Sequence, residues 1–338
     1  MRPELVIPSL DKIRAARLRI AGIAVRTPLV PVDLHDAPFS QRLTNIPRDV
    51  RLKLETAQPI GSFKIRGAAN AMAMATPESM TGGVWTASAG NMAQGVAYVA
   101  RERRLPCRVI VPEHAPRAKT DAVENLGAEV VRVRYARWWN ALLSHAYAGM
   151  DGLMIHPFAD ADVMAGNGTI GLEIAEEFAD VDAVLVPWGG GGLAIGIAAA
   201  LRGVSPRAMV YAVEVETAAP LTASLAAGAP VTVPRTPTFI DGMGSDRISG
   251  EIWPHVAGLI AGTVVVTVAQ VATALRLLVE RTGVVAEGAG AAALAAALGG
   301  RVNGVEGVSL DAERVACVVS GGNIERGVVE RILRGEVP

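Results

Sequence analysis

The sequence predicts an α/β fold of two lobes sharing a cleft, each lobe a mainly parallel sheet covered by helices, and three observations carry that prediction. Apolar runs of strand length alternate with helical patterns almost throughout the chain. At 338 residues the chain exceeds one ordinary compact unit and has ample apolar sequence for its core. Three polar or glycine-rich loops each follow a strand-like run and open a helix-like one, which is where a parallel sheet turns.

Along the chain the alternation is explicit. GVWTAS (83–88) precedes NMAQGVAYVARER (91–103), and CRVIV (107–111) precedes APRAKTDAVENL (115–126). AEVVRV (128–133) precedes WWNALLSHAYAG (138–149), and DAVLVP (182–187) precedes GGLAIGIAAALR (191–202). The units near 83–155 form one expected lobe; those from about 160 onward, with the N-terminal segment, form the other. Gly228 to Ile260 is rich in Pro, Gly and Thr and breaks the rhythm, so it is expected to be loops over the second lobe.

The formal net charge of -1 gives no electrostatic reason for a nucleic-acid partner or an acidic membrane, which leaves small-molecule chemistry as the default. The two cysteines, Cys107 and Cys317, lie in apolar runs that read as buried strands rather than as a disulfide or metal site. The first twenty residues scatter charge through their length without an apolar block, so no secretory signal and a cytoplasmic location are expected. Between Asp182 and Arg202 no charge occurs over a membrane-span length, but the four consecutive glycines inside it argue against a spanning helix.

Lysine is scarce: only Lys12, Lys53, Lys64 and Lys119 are available as amine nucleophiles. Lys64 follows Gly61 and Ser62 at the start of a helical pattern reaching Ala75, a position that favours a lowered amine pKa and Schiff-base chemistry. On that decapeptide alone, a solvated first-turn lysine is the preferred reading, and only the wider context reverses it. Gly189, Gly190, Gly191 and Gly192, then Leu193, follow the strand VLVP and open a helix, so backbone N–H groups and a positive helix end converge there. The loop lacks the spacing of a dinucleotide fingerprint and the Lys and Ser/Thr of a Walker A loop. A tight turn and a phosphate cradle both remain open on that evidence. Ser88-Ala89-Gly90-Asn91 and Ser320-Gly321-Gly322-Asn323 are two more such loops, for which helix capping is the competing role.

Taken together these features resemble the fold-type II pyridoxal-phosphate enzymes, of tryptophan synthase β-like architecture, in the branch holding serine/threonine dehydratases and serine racemases. The resemblance rests on Lys53-x-Glu55-x-x-Gln58-x-x-Gly61-Ser62-Phe63-Lys64-x-Arg66-Gly67-Ala68, with support from SAGNMAQGVA (88–97), AGNGTIGLEI (165–174), GGGGL (189–193), EGAGA (287–291) and SGGN (320–323). It implies a large cofactor-binding domain of residues 1–81 and 156–338, a small mobile domain of 82–155, pyridoxal 5'-phosphate as cofactor and a homodimer. It implies that Lys64 carries the cofactor, with Phe63 on one face of the ring. Gly189 to Gly192 and Leu193 hold the phosphate, and Asn91 meets the phenolic oxygen. Glu287 lies in the cofactor site, and Ser320 meets the pyridine nitrogen. Ser88, Ala89, Gly90, Asn91 and Met92 bind the substrate carboxylate.

A neutral hydroxyl at Ser320 makes the ring a weaker electron sink than an aspartate would, which favours elimination over transamination. The implied reaction is loss of the β-hydroxyl from threonine or serine, giving a 2-oxo acid and ammonia. The residues flanking Lys64 set the chain apart from sulfhydrylases and threonine synthases, which usually carry Asp after the lysine. Ala89 occupies the place of the second acid of serine racemases and cannot transfer a proton, which favours a dehydratase.

Three departures from the pattern stand out. Met92 replaces a usual histidine. The cation site of some relatives would need Glu214, Ala218 and Pro220, and Pro220 offers no side-chain ligand, so no metal is expected; Glu216 is expected at the surface or capping a loop. Arg137, Trp138 and Trp139 could admit 3-hydroxyaspartate or a bulkier hydroxyectoine-related compound, against a packing role that is slightly preferred. An amino-acid racemase and a non-catalytic relative that kept the fold are the remaining alternatives.

Overall fold

The computed structural model describes residues 4–34, 47–305 and 310–338, which include every candidate site residue. The first part of the chain runs α1 (Leu10–Arg19), β1 (Leu29–Val32), β2 (Asp49–Leu54), α2 (Lys64–Met74), β3 (Val84–Ala87), α3 (Asn91–Glu102), β4 (Cys107–Pro112) and α4 (Arg117–Glu124). It continues with β5 (Glu129–Val133), α5 (Tyr135–Ser144), β6 (Leu153–Met154), α6 (Ala161–Glu177), β7 (Ala183–Pro187), α7 (Gly192–Val204), β8 (Met209–Val215) and α8 (Pro220–Ala227). It closes with β9 (Gly262–Val266), α9 (Val268–Thr282), α10 (Gly288–Ala297), β10 (Arg301–Val302), β11 (Arg314–Val319) and α11 (Arg326–Leu333).

The strands form two sheets, a seven-stranded one in the order β1-β2-β11-β7-β8-β9-β10 and a four-stranded one in the order β5-β4-β3-β6. The small sheet is parallel throughout; the large sheet is parallel at its centre and antiparallel at both edges, where β1 pairs with β2 and β10 with β9. Those antiparallel edges depart from the alternation read in the sequence, because β1 and β10 are too short and too mixed to announce themselves. The central strands β7 and β11 are buried along nearly their whole length, as strands covered on both faces must be. Cys317 is fully buried in β11 and Cys107 buried in β4, as expected, and both thiols are free.

In the small sheet, side-chain alternation separates two faces. Val84, Val109 and Val111 pack with Ala93, Val96 and Ala97 of α3. Trp85, Ala87, Ile110 and Val133 pack with Ala141 and Leu142 of α5. Helix α5 starts earlier than its tryptophans suggest and ends at His145, whose φ of 50° breaks the helical path.

Most of 228–260 is loop, with one 3-10 turn at Trp253–His255. It does more than cover the large sheet. Asp241 pairs with Lys119 of α4, and Glu251 lies 3.5 Å from His145, so the segment also reaches the elements around the small sheet. Among the described residues no helix is long and apolar enough to cross a membrane.

Candidate active site

The lysine signature divides into a platform and a reactive end. In the platform, Lys53 Nζ donates to the Thr27 carbonyl at 2.6 Å and pairs with Glu173 at 2.6 Å. Arg66 spans two carboxylates, Nε to Glu55 at 2.8 Å and Nη1 to Glu173 at 2.6 Å. Gln58 bonds Glu55 and the Val25 carbonyl. Lys53, Glu55, Arg66 and Glu173 are all buried, and their charges balance. Burial alone would raise the Glu173 carboxyl; Arg66 and Lys53 outweigh it and hold the group below its ordinary value. This platform anchors the turn from Ile60 to Phe63, where Gly61 has a φ of 69° that a side chain would strain.

The turn pairs with the C-terminal loop. Phe63 N–H donates to the Ser320 carbonyl at 3.0 Å, and Gly322 N–H to the Gly61 carbonyl at 2.9 Å. Ser62 and Gly321 form an antiparallel bridge, and the Ser62 hydroxyl is buried without a partner among the described residues. Ser320 is 2% exposed at the end of β11. Phe63 lies beside the large-sheet core, and the Lys64 amine sits 5.1 Å from its ring centre.

Lys64 opens α2. Its amine donates to the Pro157 carbonyl at 2.6 Å and has no ion-pair partner among the described residues. Desolvation lowers its pKa to about 8, with Glu287 opposing that shift. The lowered value expected from the sequence is therefore present, but burial causes it, rather than the helix end. Of the other lysines, Lys53 is ion-paired inside the platform, Lys119 is paired with Asp241 and Lys12 is exposed.

The residue after Pro157 leads to the glycine loop. A Cβ on Gly190 would lie 2.2 Å from the Phe158 ring, and one on Gly192 would lie 2.5 Å from the Phe158 carbonyl oxygen. Gly191 has a φ of 88° and faces Trp188 and Ile252. No side chain caps α7, and Leu193 is buried in its first turn. The loop therefore approaches the Phe158 turn with bare backbone at an uncapped helix N-terminus, a place suited to an anion.

On the other side, Ser88, Ala89 and Gly90 are half-buried between β3 and α3. The Ser88 hydroxyl accepts from Gly90 N–H at 3.2 Å, and no side chain caps α3. Asn91 Nδ2 donates to Glu287 at 2.7 Å, while Asn91 Oδ1 accepts from Asn323 at 2.7 Å. Burial, then Asp241, push the Glu287 carboxyl up to about 7. The fold thus brings Lys64, Asn91, Glu287, Ser320 and the two uncapped loops into one neighbourhood.

Met92 is placed differently from its neighbours: its side chain is 1% exposed inside the core of α2 and α3, so only its backbone can serve the loop. Trp138 and Trp139 pack against the α5 face of the small sheet, and Arg137 is exposed over the Tyr147 ring. Glu214 accepts from the N–H groups of Leu221 and Thr222, both at 2.8 Å, capping α8, and Glu216 accepts from Val268 N–H. No cluster of metal-ligating side chains occurs among the described residues. Sequence reasoning missed Pro157, Phe158, Asn323 and Asp241. Asn323 stood in a quoted loop, but Pro157 and Phe158 had no signal beyond a short apolar segment.

The pattern of the pyridoxal-phosphate dependent enzyme family matches residues 21–321. The chain belongs to that family. Its cofactor is accordingly pyridoxal phosphate, and its fold is the family's fold type II. The chain is 40% identical over 326 residues to an L-threonine ammonia-lyase of Geobacter sulfurreducens, covering 96% of this chain and 76% of that one. It is 35% identical over 327 residues to the catabolic L-threonine dehydratase TdcB of Escherichia coli K12, covering 96% and 95%. Among solved structures it is similar to maize serine racemase, with a TM-score of 0.86, 30% identity and 98% of each chain covered.

Proposed function

We propose that this family member removes water from a small neutral β-hydroxy amino acid, threonine or serine, and releases a 2-oxo acid and ammonia, with Lys64 carrying the cofactor and moving the proton. The observation that carries the reading is the Lys64 amine: desolvated, lowered to about 8, and held by a carbonyl rather than a carboxylate. The names of the two dehydratase relatives support the same substrate class.

The residues present fit pyridoxal phosphate. Its aldehyde requires an amine not locked in an ion pair, which Lys64 offers, and its phosphate requires backbone N–H groups without side chains in the way, which Gly189 to Gly192 and the first turn of α7 at Leu193 offer. With the cofactor held by Lys64, Phe63 would pack beside its ring, and Asn91, Glu287 and the Ser320 hydroxyl would be the polar side chains available to it. Bound there, the cofactor supplies an electron sink for the bonding pair at the substrate's α-carbon.

Everything else falls to the chain. The loop from Ser88 to Met92 orients the substrate carboxylate at the open end of α3. The neutral Lys64 amine takes the α-proton, and a pKa near 8 keeps a useful fraction of it unprotonated at neutral pH. The β-carbon then loses its hydroxyl, which takes the proton that Lys64 has collected and leaves as water. The enamine so formed tautomerises and takes up one water, releasing ammonia and the 2-oxo acid. Ala89 has no proton to return to the opposite face, which favours elimination over racemisation. The lobe near 82–155 closes over the substrate.

The packing of Trp138 and Trp139 and the exposure of Arg137 favour a small neutral substrate over 3-hydroxyaspartate or a hydroxyectoine-related compound. The cytoplasmic homodimer expected from the sequence belongs to the same reading. The test is a 2-oxo acid assay over threonine, serine and 3-hydroxyaspartate with the wild type and Lys64→Ala. Turnover of threonine or serine, with a drop on the order of 10³-fold in the variant, is expected. A wild type that racemises without releasing oxo acid, or that prefers hydroxyaspartate, overturns the reading.

A further inference from the structure

We infer that His156 is a positioning residue of this site: its Nδ1, as a double acceptor, shapes the turn that sets both the Lys64 amine and the glycine loop. The inference rests on the assignment of Lys64 and Gly189 to Gly192 to the cofactor.

The chain leaves β6 of the small sheet at Met154 and enters α6 at Ala161, so residues 155–160 form a link that carries it out of the small sheet toward the large one. That link carries two site contacts on adjacent residues. The Pro157 carbonyl accepts from Lys64, and the Phe158 ring and carbonyl lie so close to Gly190 and Gly192 that no side chain fits on either glycine. Moving the turn by an ångström would displace the amine and the loop together.

His156 is 3% exposed, and its Nδ1 accepts from Ala159 N–H at 2.8 Å and from Phe158 N–H at 3.3 Å. An Nδ1 that accepts cannot carry the proton, so the ring is the neutral tautomer protonated at Nε2. The two N–H groups belong to a tight turn ahead of α6 and have no helical partner of their own. Asp160 then caps α6 by accepting from Asp162 and Val163. The preceding residue is fixed from the other side, since the Thr86 hydroxyl donates to the Ile155 carbonyl at 2.8 Å. The His156 ring also stacks on His145 at 4.0 Å between ring centres and meets the Phe158 ring edge-on at 4.6 Å.

Two properties of the imidazole are separable by substitution. Asparagine at 156 keeps an acceptor near Nδ1 and loses the stacked ring; phenylalanine keeps a ring and loses the acceptor. Apoprotein is titrated with pyridoxal phosphate, following the visible absorbance of the lysine-bound cofactor, for wild type, His156→Asn, His156→Phe and His145→Leu. His156→Phe is expected to weaken cofactor affinity and lower kcat about tenfold, the scale of one lost buried hydrogen bond. His156→Asn and His145→Leu are expected to stay near wild type. Equal losses in the Asn and Phe variants, or wild-type affinity in His156→Phe, overturn the inference. Should His156→Phe fail to fold, His156→Asn decides alone, wild-type affinity supporting the acceptor role and a tenfold loss refuting it. Lys64→Ala in the same titration separates the two levels: if it keeps the lysine-bound spectrum, the assignment of Lys64 itself falls, whereas a null result confined to His156 removes only the positioning role.

Discussion

Two buried charged clusters lie within one sequence signature, and they use burial in opposite ways. Under α2, Lys53, Glu55, Arg66 and Glu173 meet as two cations and two anions, each within hydrogen-bond reach of an opposite charge. At the candidate site, Lys64 and Glu287 lack such partners among the described residues, and desolvation pushes each toward its neutral form, the amine down to about 8 and the carboxyl up to about 7. Compensated burial locks charges in place and makes a scaffold. Uncompensated burial brings proton affinities near neutrality, where a group can give or take a proton at physiological pH.

The largest effect expected from this contrast is on stability in the platform. Arg66→Ala leaves Glu55 and Glu173 buried without their shared cation and should cost about 3–5 kcal/mol, read by urea denaturation of the apoprotein. A loss near that of a surface substitution would break the comparison.

At the candidate site the sign reverses. Between about 4.5 and 7 the folded chain retains the Glu287 proton that an unfolded chain has released, so apoprotein stability should fall as pH rises through that window. Between about 8 and 10.5 the unfolded chain retains the Lys64 proton that the folded chain has released, and stability should climb again. Glu287→Gln removes the first slope and should stabilise the apoprotein by about 3 kcal/mol at pH values above the Glu287 titration. Melting temperature against pH for the two proteins is the measurement; parallel profiles would show that Glu287 is compensated after all.

The smallest effect belongs to charge outside both clusters. Arg137 is exposed over Tyr147. Arg137→Ala should change stability by less than about 0.5 kcal/mol and leave kcat/KM for threonine unchanged. A large loss of activity would bring α5 into the substrate site and reopen the acidic-substrate reading.

Much of the fold was legible because its signal is local. Residues 83–88, 107–111, 128–133 and 182–187 alternate with helical runs, and each of these runs holds a strand. Glu214 was legible only as part of a cation site that Pro220 leaves incomplete, and Trp138 only as a residue with competing pocket and packing roles. The structure gives Glu214 to the N-terminus of α8 and Trp138 to the small-sheet core. Segment 228–260 was the least readable, since its pairings reach Lys119 and His145 more than a hundred residues away and leave no periodic trace.

Sequence by itself determined the α/β alternation, the family signature and the short roster of lysines, because periodicity, turn residues and chemical identity are properties of the chain read in order. Tertiary structure alone decided which lysine is compensated and which is not. It also decided that Glu287 and Asn91 meet, and that the Pro157–Phe158 turn joins Lys64 to the glycine loop. Desolvation and partner distance set those outcomes, and both depend on elements far apart in sequence that meet only in the folded chain.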